Sequence, residues 1–234
     1  MNRADNIAAG ASGRQQRALD TRDRLMRAAE KLVAERGLEN VTLRAITTAA
    51  EQKNESALQY HFGGRDGLIE AIHHARNAQV QEKRAEMLDA LVATQTAPTL
   101  RHICKLMVEP PFLLARKDPG FRHYVKGFGR EIAITDGAPT DYLMGRHRYG
   151  TRETRRLLRE TLSFLDDEIF QYRFNTVARF AGLSMSGHAR QKGAFRGPDS
   201  DVFFNMLVDM MAGILEADVS PDTRAALVNR QSSM

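Results

Sequence analysis

The chain has 234 residues, 42% of them hydrophobic and 27% charged, with 34 Lys/Arg against 29 Asp/Glu and a formal net charge of +5. That length fits one or two domains, the apolar fraction excludes a disordered or fibrous chain, and no uncharged apolar run approaches the ~20 residues that cross a bilayer. A single cysteine, Cys104, excludes an intrachain disulfide, and the N-terminus carries no continuous apolar h-region, so a cytoplasmic protein with no membrane partner is expected.

Residues 1–19 are small and polar, with Arg3, Arg14 and Arg17 scattered through them, and are predicted to be a flexible arm. Asp20 or Thr21 then caps a first helix, whose Leu25, Ala29, Leu32 and Val33 recur at one-face helical spacing. Gly37 is expected to end it as a left-handed cap, with Leu38 in the accompanying apolar contact. Thr42 is the N-cap of a second helix that turns Leu43, Ile46 and Ala50 inward; Ala45 holds the capping-box position, so the cap is of the simple kind. After the polar stretch Glu51 to Glu55, residues Ser56 to Phe62 form a short third helix, broken by Gly63-Gly64. A fourth begins near Arg65 with Leu68, Ile69 and Ile72 on one side.

Further helices are predicted at roughly 78–95, 98–117, 119–133, 139–162, 165–190 and 199–217. Their punctuation is Pro98, Pro119-Gly120, Asp136-Gly137 and Gly193 to Pro198, and Pro110-Pro111 should break or kink the helix that contains it. There is no convincing β alternation and no internal repeat. The fold class is all-α, with a small N-terminal unit and a larger C-terminal one.

Three short helices within about fifty residues, the third polar on its outer side, have the form of a helix-turn-helix. Leu58 and Phe62 anchor the third helix, leaving Asn54, Ser56, Ala57, Gln59, Tyr60 and His61 for its outside and edges. These suit DNA: Gln pairs with the adenine edge, Ser serves several bases, Ala meets a thymine methyl, and Tyr60 and His61 offer donors to phosphate oxygens. Thr42, Arg44 and Arg65 stand at helix starts, where phosphate contacts are favoured. Singly, each residue has an ordinary alternative, Phe62 as core and the arginines as solvated surface. Together, spaced over three helices, they favour DNA.

The segment from Thr21 to Ile72 closely resembles the DNA-binding domain of TetR/AcrR-family transcriptional regulators. The matching elements are the Ala-rich first helix ending in Glu35-Arg36-Gly37, Thr42-Leu43-Arg44-Ala45-Ile46, Ala49-Ala50, Tyr60-His61-Phe62 and Gly64-Arg65-Asp66-Gly67-Leu68. Two departures are visible. Ala50-Glu51-Gln52 stands where the family usually has Ala-Gly-Val, and the turn is one residue longer, which leaves the register from Lys53 to Gln59 open. The resemblance implies a helix-turn-helix domain over 20–72 and a C-terminal ligand-binding and dimerisation domain over 73–234. It also implies double-stranded DNA with a palindromic operator as partner, and a small-molecule effector that relieves repression.

The sequence supports a homodimer independently. Val202, Phe203, Phe204, Met206, Leu207, Val208, Met210, Met211, Ile214 and Leu215 surround one helix with apolar groups, so it must be buried on every side. In the helix before it, Phe170, Phe174, Val177 and Ala181 form one stripe, and Ile169, Tyr172, Thr176 and Phe180 another. The interface is therefore expected at Phe170, Phe174, Val177, Ala181, Phe203, Phe204, Leu207, Met210, Met211 and Ile214. Against it stands a large monomeric core. Met107, Phe112, Phe121, Tyr124, Phe128, Tyr142, Met144 and Tyr149 could line a ligand pocket or be plain core, and His102, His123 and His147 could be polar contacts or surface; no ligand residue is assigned.

The rival reading is an all-α metal-dependent enzyme using Asp166-Asp167-Glu168, but position 170 is Phe and acidic residues at a helix start already favour the dipole. His73 and His74 point about 100° apart on a helix and no His/Cys pair has ligand spacing, so no catalytic residue, metal or cofactor is expected. Cys104 reads as a buried thiol.

Overall fold

The computed structural model of the chain describes residues 3–134 and 149–231, with side chains over 15–133 and 150–230. Every regular element among them is helical. The first, α1, spans Arg3–Arg36. It corrects two expectations: residues 3–19 are part of this helix rather than an arm, and the chain runs through Asp20 and Thr21 without a cap. Ala4, Ala8, Ala9 and Ala11, with the arginines and glutamines that follow, have strong helix propensity, and this outweighs Gly10 and Gly13 at about 1 kcal/mol each.

Leu25, Ala29, Leu32 and Val33 are all buried, as their spacing predicts. Gly37 does end α1 with positive φ, but at φ 84°, ψ 154° it is extended rather than left-handed helical, a region that essentially only glycine occupies. The chain therefore leaves α1 outward into a short 3-10 turn, Leu38–Asn40. Helix α2, Leu43–Ala49, starts at Thr42, whose hydroxyl accepts from the Ala45 N–H at 3.2 Å. Glu51 itself takes the left-handed conformation (φ 57°) in the turn to α3, Ser56–Phe62. Around it, the N–H of Glu51 donates to the Thr48 carbonyl at 3.1 Å and that of Gln52 to Thr47 at 2.8 Å.

Helix α4, Arg65–Ala93, is one continuous rod of 29 residues, about 43 Å long, where the sequence suggested two helices. No Gly or Pro follows Gly67 within it, so nothing interrupts the ladder at residues 72–73. Gly67 lies against α3 so closely that a Cβ there would sit 1.9 Å from the Phe62 carbonyl oxygen. Leu25, Leu58, Leu68 and Ile72, all fully buried, join α1, α3 and α4 into one small core.

The remaining helices are α5 (Leu100–Lys117), α6 (Pro119–Ile134), α7 (Tyr149–Thr161), α8 (Asp167–His188), α9 (Gly197–Glu216) and α10 (Pro221–Gln231), the last unexpected from sequence. Helix α6 packs between α1 and α8, α9 lies on α5 and α8, and α4 lies on α5 and α7. The expected turn at Asp136-Gly137 and the first part of the helix predicted at 139–162 lie outside the described residues. Helix α5 continues through Pro110 and Pro111. The two prolines cannot donate to the carbonyls of Leu106 and Met107, four residues earlier. The Arg84 guanidinium of α4 replaces them, with Nε donating to the Leu106 carbonyl at 2.9 Å and Nη2 to that of Met107 at 3.3 Å.

Candidate nucleic-acid interface and inner cavity

The short helix α3 is held by Leu58 and turns its opposite side to solvent. Ser56, Gln59 and Tyr60 are exposed, Tyr60 to 83%, while Ala57 and His61 are half-buried. The Tyr60 ring stands edge-on to His61, 5.0 Å between centroids. Phe62 packs against the core with the Arg22 guanidinium 5.2 Å over its ring. Several side chains of this region already hold backbone groups. Asn54 Oδ1 accepts from the Ser56 N–H at 3.1 Å and so caps α3 across the lengthened turn. Gln59 Nε2 donates to the Gly63 carbonyl at 3.3 Å. Arg65 donates to the Leu38 carbonyl, tying the start of α4 to the 3-10 turn.

Of the nine residues expected at DNA, Arg44, Ser56 and Tyr60 are thus exposed with no such bond, Thr42, Asn54, Gln59 and Arg65 also shape the local backbone, and Ala57 and His61 are edge positions. Arg36 and Thr48 were not among the nine. They border an open hollow with Thr42 and Arg44 where the end of α1 meets the start of α2. A basic residue in the last turn of a helix is expected for the helix dipole alone, which conceals any second use.

Behind this unit, two acids grip one arginine of α4. Arg76 Nε and Nη2 donate to the two Glu30 carboxylate oxygens of α1 at 2.6 and 2.7 Å, and Nη1 to Asp118 Oδ2 at 2.9 Å. Glu30 and Arg76 are both buried. Burial opposes the Arg76 charge, but the hydrogen bonds and charges of Glu30 and Asp118 outweigh it and raise the guanidinium pKa. Burial raises that of Glu30 against the pull of Arg76. We read the pair as ionised, because a bidentate fork at these distances matches carboxylate to guanidinium.

Arg76 also borders an inner cavity of about 210 Å³ between α4, α5, α6, α7 and α8. Most of its wall is apolar, with Val80, Met107, Phe121, Val125, Phe174 and Met185 contributing. One end is polar. There Thr151 Oγ1 accepts from Gln81 Nε2 and from Arg84 Nη1, both at 2.8 Å. Burial lowers the Arg84 pKa to about 10, so it stays charged at neutral pH. Its side chain is deeply enclosed yet keeps intermediate accessible surface, as a cavity-wall residue does.

Among the pocket candidates from sequence, Met107, Phe121 and Tyr124 line this cavity, whereas Phe112 and Phe128 are buried core that does not. Tyr142, Met144, His147 and the Tyr149 side chain lie outside the described residues. His102 is a cap, its Nδ1 accepting from the Thr99 N–H at 3.3 Å, and His123 is half-buried away from the cavity. Cys104 is fully buried, and burial pushes its thiol up to about 12, an unreactive thiol as expected.

The sequence model of bacterial regulatory proteins of the tetR family matches residues 25–72, the segment whose helices and turn have just been described. Over these residues the chain carries a TetR-type helix-turn-helix domain. That domain is of the kind found in bacterial regulatory proteins. A Rhodococcus sp. crystal structure described as a TetR-family transcriptional regulator shares the fold over 82% of this chain and 98% of its own, with a TM-score of 0.53 and 16% identity. RolR, solved in complex with resorcinol, aligns over 88% of this chain and 98% of its own at a TM-score of 0.46 and 20% identity. No curated protein matches the sequence.

The ten side chains expected at a dimer interface divide. Phe170, Phe174, Val177, Ala181, Phe204, Leu207 and Met211 are buried within the chain's own core, which corrects their assignment; Phe203 and Ile214 are half-buried, and Met210 is 45% exposed. Composition showed that α9 was apolar all round but not which face the chain itself would cover. The uncovered apolar groups are Tyr172 and Leu183 on α8 and Val202, Met206 and Met210 on α9. The acids of the enzyme reading are spread over ion pairs, Asp167 with Arg159 at 2.9 Å and Glu168 with Arg230. Among the described residues, no cluster of three His, Cys, Asp or Glu could hold a metal, and no helix is long and apolar enough to cross a membrane.

Proposed function

We propose that this regulator is a homodimeric repressor that binds a palindromic operator and is released when a small molecule enters the cavity. The observation that carries the reading is α4. Its first turn holds the 3-10 turn through Arg65, its middle grips α1 through Arg76, and its second half forms the cavity wall with Val80, Gln81 and Arg84. A ligand that fits the cavity better in one position of α4 than in another shifts the population of DNA-competent molecules, and ~1–3 kcal/mol of such preference changes affinity about 5–150-fold.

Arg44 and Tyr60 are proposed to contact phosphate, with Thr42, His61 and Arg65 alongside. Ser56, Ala57 and Gln59 are proposed to face bases, Gln59 after leaving Gly63. Asn54 acts by shaping the entry to α3. The uncovered stripe Val202, Met206, Met210, with Tyr172 and Leu183 beside it, supports pairing of α8 and α9 with a second copy, since isolated apolar side chains need no explanation but an aligned stripe at i, i+4, i+8 does. Two copies related by a two-fold axis would place their α3 helices in successive major grooves, about 34–36 Å apart.

The test is selection of bound fragments from random duplex DNA by the purified protein at two salt concentrations. An enriched palindrome whose binding falls steeply with salt supports the reading. Enrichment of an asymmetric site would remove the dimer from it, and no enrichment, before and after refolding to strip bound molecules, would remove the operator.

A further inference from the structure

The cavity has a chemistry of its own, set by three observations. Its volume of about 210 Å³ exceeds the ~150 Å³ that suffices, in an apolar protein cavity, for one benzene molecule, so it accommodates a single ring with a short substituent. The rings of Phe121, Tyr124 and Phe174 line it.

The charges on its wall are unbalanced. Arg76 and Arg84 are the charged residues among the described lining, which includes no Asp or Glu. Arg76 is matched by Glu30 and Asp118, whereas among the described residues the acceptors of Arg84 are the neutral Leu106 O, Met107 O, Gln81 Oε1 and Thr151 Oγ1. Supporting the carbonyls freed by Pro110 and Pro111 requires hydrogen-bond donors but not a net charge, and an enclosed charge without a counter-ion is costly.

Donors also remain at this end. The Thr151 oxygen accepts from Gln81 and Arg84, and its hydroxyl donates to no acceptor among the described residues. Arg84 Nη2 has a second hydrogen beyond its bond to Met107. We propose that the cavity takes a small aromatic monocarboxylate, one ring bearing a short acid arm, with the carboxylate against Arg84 and Thr151 and the ring among Phe121, Tyr124 and Phe174. The proposal rests on the cavity being the effector site and adds the class of the effector.

The full-length protein is titrated by calorimetry with benzoate and 3-phenylpropanoate, and with benzamide and 3-phenylpropanamide as neutral counterparts of the same shape. At least one acid should bind roughly tenfold or more tightly than its amide, the gain expected of a charge-assisted over a neutral contact. Thr151→Val should weaken the acid about fivefold or more. Equal binding of acids and amides, or binding of neither acid, overturns the proposal; the comparison on the unmodified protein decides this even if the variant fails to fold.

A second arm measures release of a selected duplex by fluorescence anisotropy. An acid that binds without releasing DNA retains the ligand class but removes ligand-released repression. Release by neutral molecules alone, with the acids inert, does the opposite.

Discussion

At the scale of single residues, exposure and prior commitments decide what each side chain can do. Arg44 is exposed and Arg65 is tied to Leu38, so the two arginines should behave differently. Arg44→Ala is expected to weaken binding to all duplexes alike and to lower the salt slope by about 1 with melting unchanged, whereas Arg65→Ala should also lower the melting temperature. Glu51 occupies a conformation that favours glycine, and Glu51→Gly is expected to stabilise the protein by roughly 0.5–1 kcal/mol in chemical denaturation. An unchanged midpoint would mean that the turn relaxes without strain. His73 is buried against Tyr124 and Phe128, and burial, with His74 beside it, lowers its pKa to about 4. The folded state thus binds fewer protons than the unfolded chain between pH 4 and 6.5. Stability is full above that window and falls as pH drops through it, by about 2 kcal/mol from pH 7 to pH 5. The urea midpoint should show this fall, and His73→Gln should reduce it; an equal fall in both would place the titration elsewhere. The sequence identified Leu25, Leu58 and Ile72 as core because periodicity is local, but not that Gln59 and Arg65 are bonded to backbone, since those partners depend on how the chain returns.

At the scale of elements, the helices were legible wherever apolar spacing and punctuation agreed, as for α2, α3, α5 and α6. The misreadings have a common cause, which is that local signals were overruled by continuity or by a distant partner. Alanine-rich sequence carried α1 past its expected cap, and Arg84 supplied from α4 what Pro110 and Pro111 withhold from α5. No window of sequence around the prolines contains that arginine. The Glu30–Arg76 pair is likewise invisible locally, being 46 residues apart. Removing one partner of a buried pair strands the other, so Glu30→Ala is expected to cost about 3–5 kcal/mol in chemical denaturation. A loss below 1 kcal/mol would show that Arg76 finds sufficient compensation in Asp118.

At the scale of the whole molecule, the all-α class was legible in the sequence, but the division of the apolar residues of α8 and α9 between the chain's own core and a partner was not. That division depends on which faces α5 and α6 cover. The proposed dimer makes it testable: Met206→Glu lies on the uncovered stripe and should yield a folded monomer by light scattering, with binding to a palindromic duplex reduced, while Phe204→Glu should fail to fold. A Met206→Glu protein that remains dimeric would move the interface elsewhere. The unbroken course of α4 also bears on how such proteins can be recombined. Gly127 of α6 approaches α1 so closely that a Cβ would lie 2.9 Å from Val33 Cγ1, and Glu30 and Arg76 clasp across the same region. A chimera joined at residue 72 would cut through a helix, separate that clasp and leave Ile72 facing foreign sequence. A workable graft would instead carry Glu30, Val33, Arg76, Asp118 and Gly127 as one inherited unit, so the seam between the N-terminal helices and the rest is a patch of matched surface rather than a point along the chain.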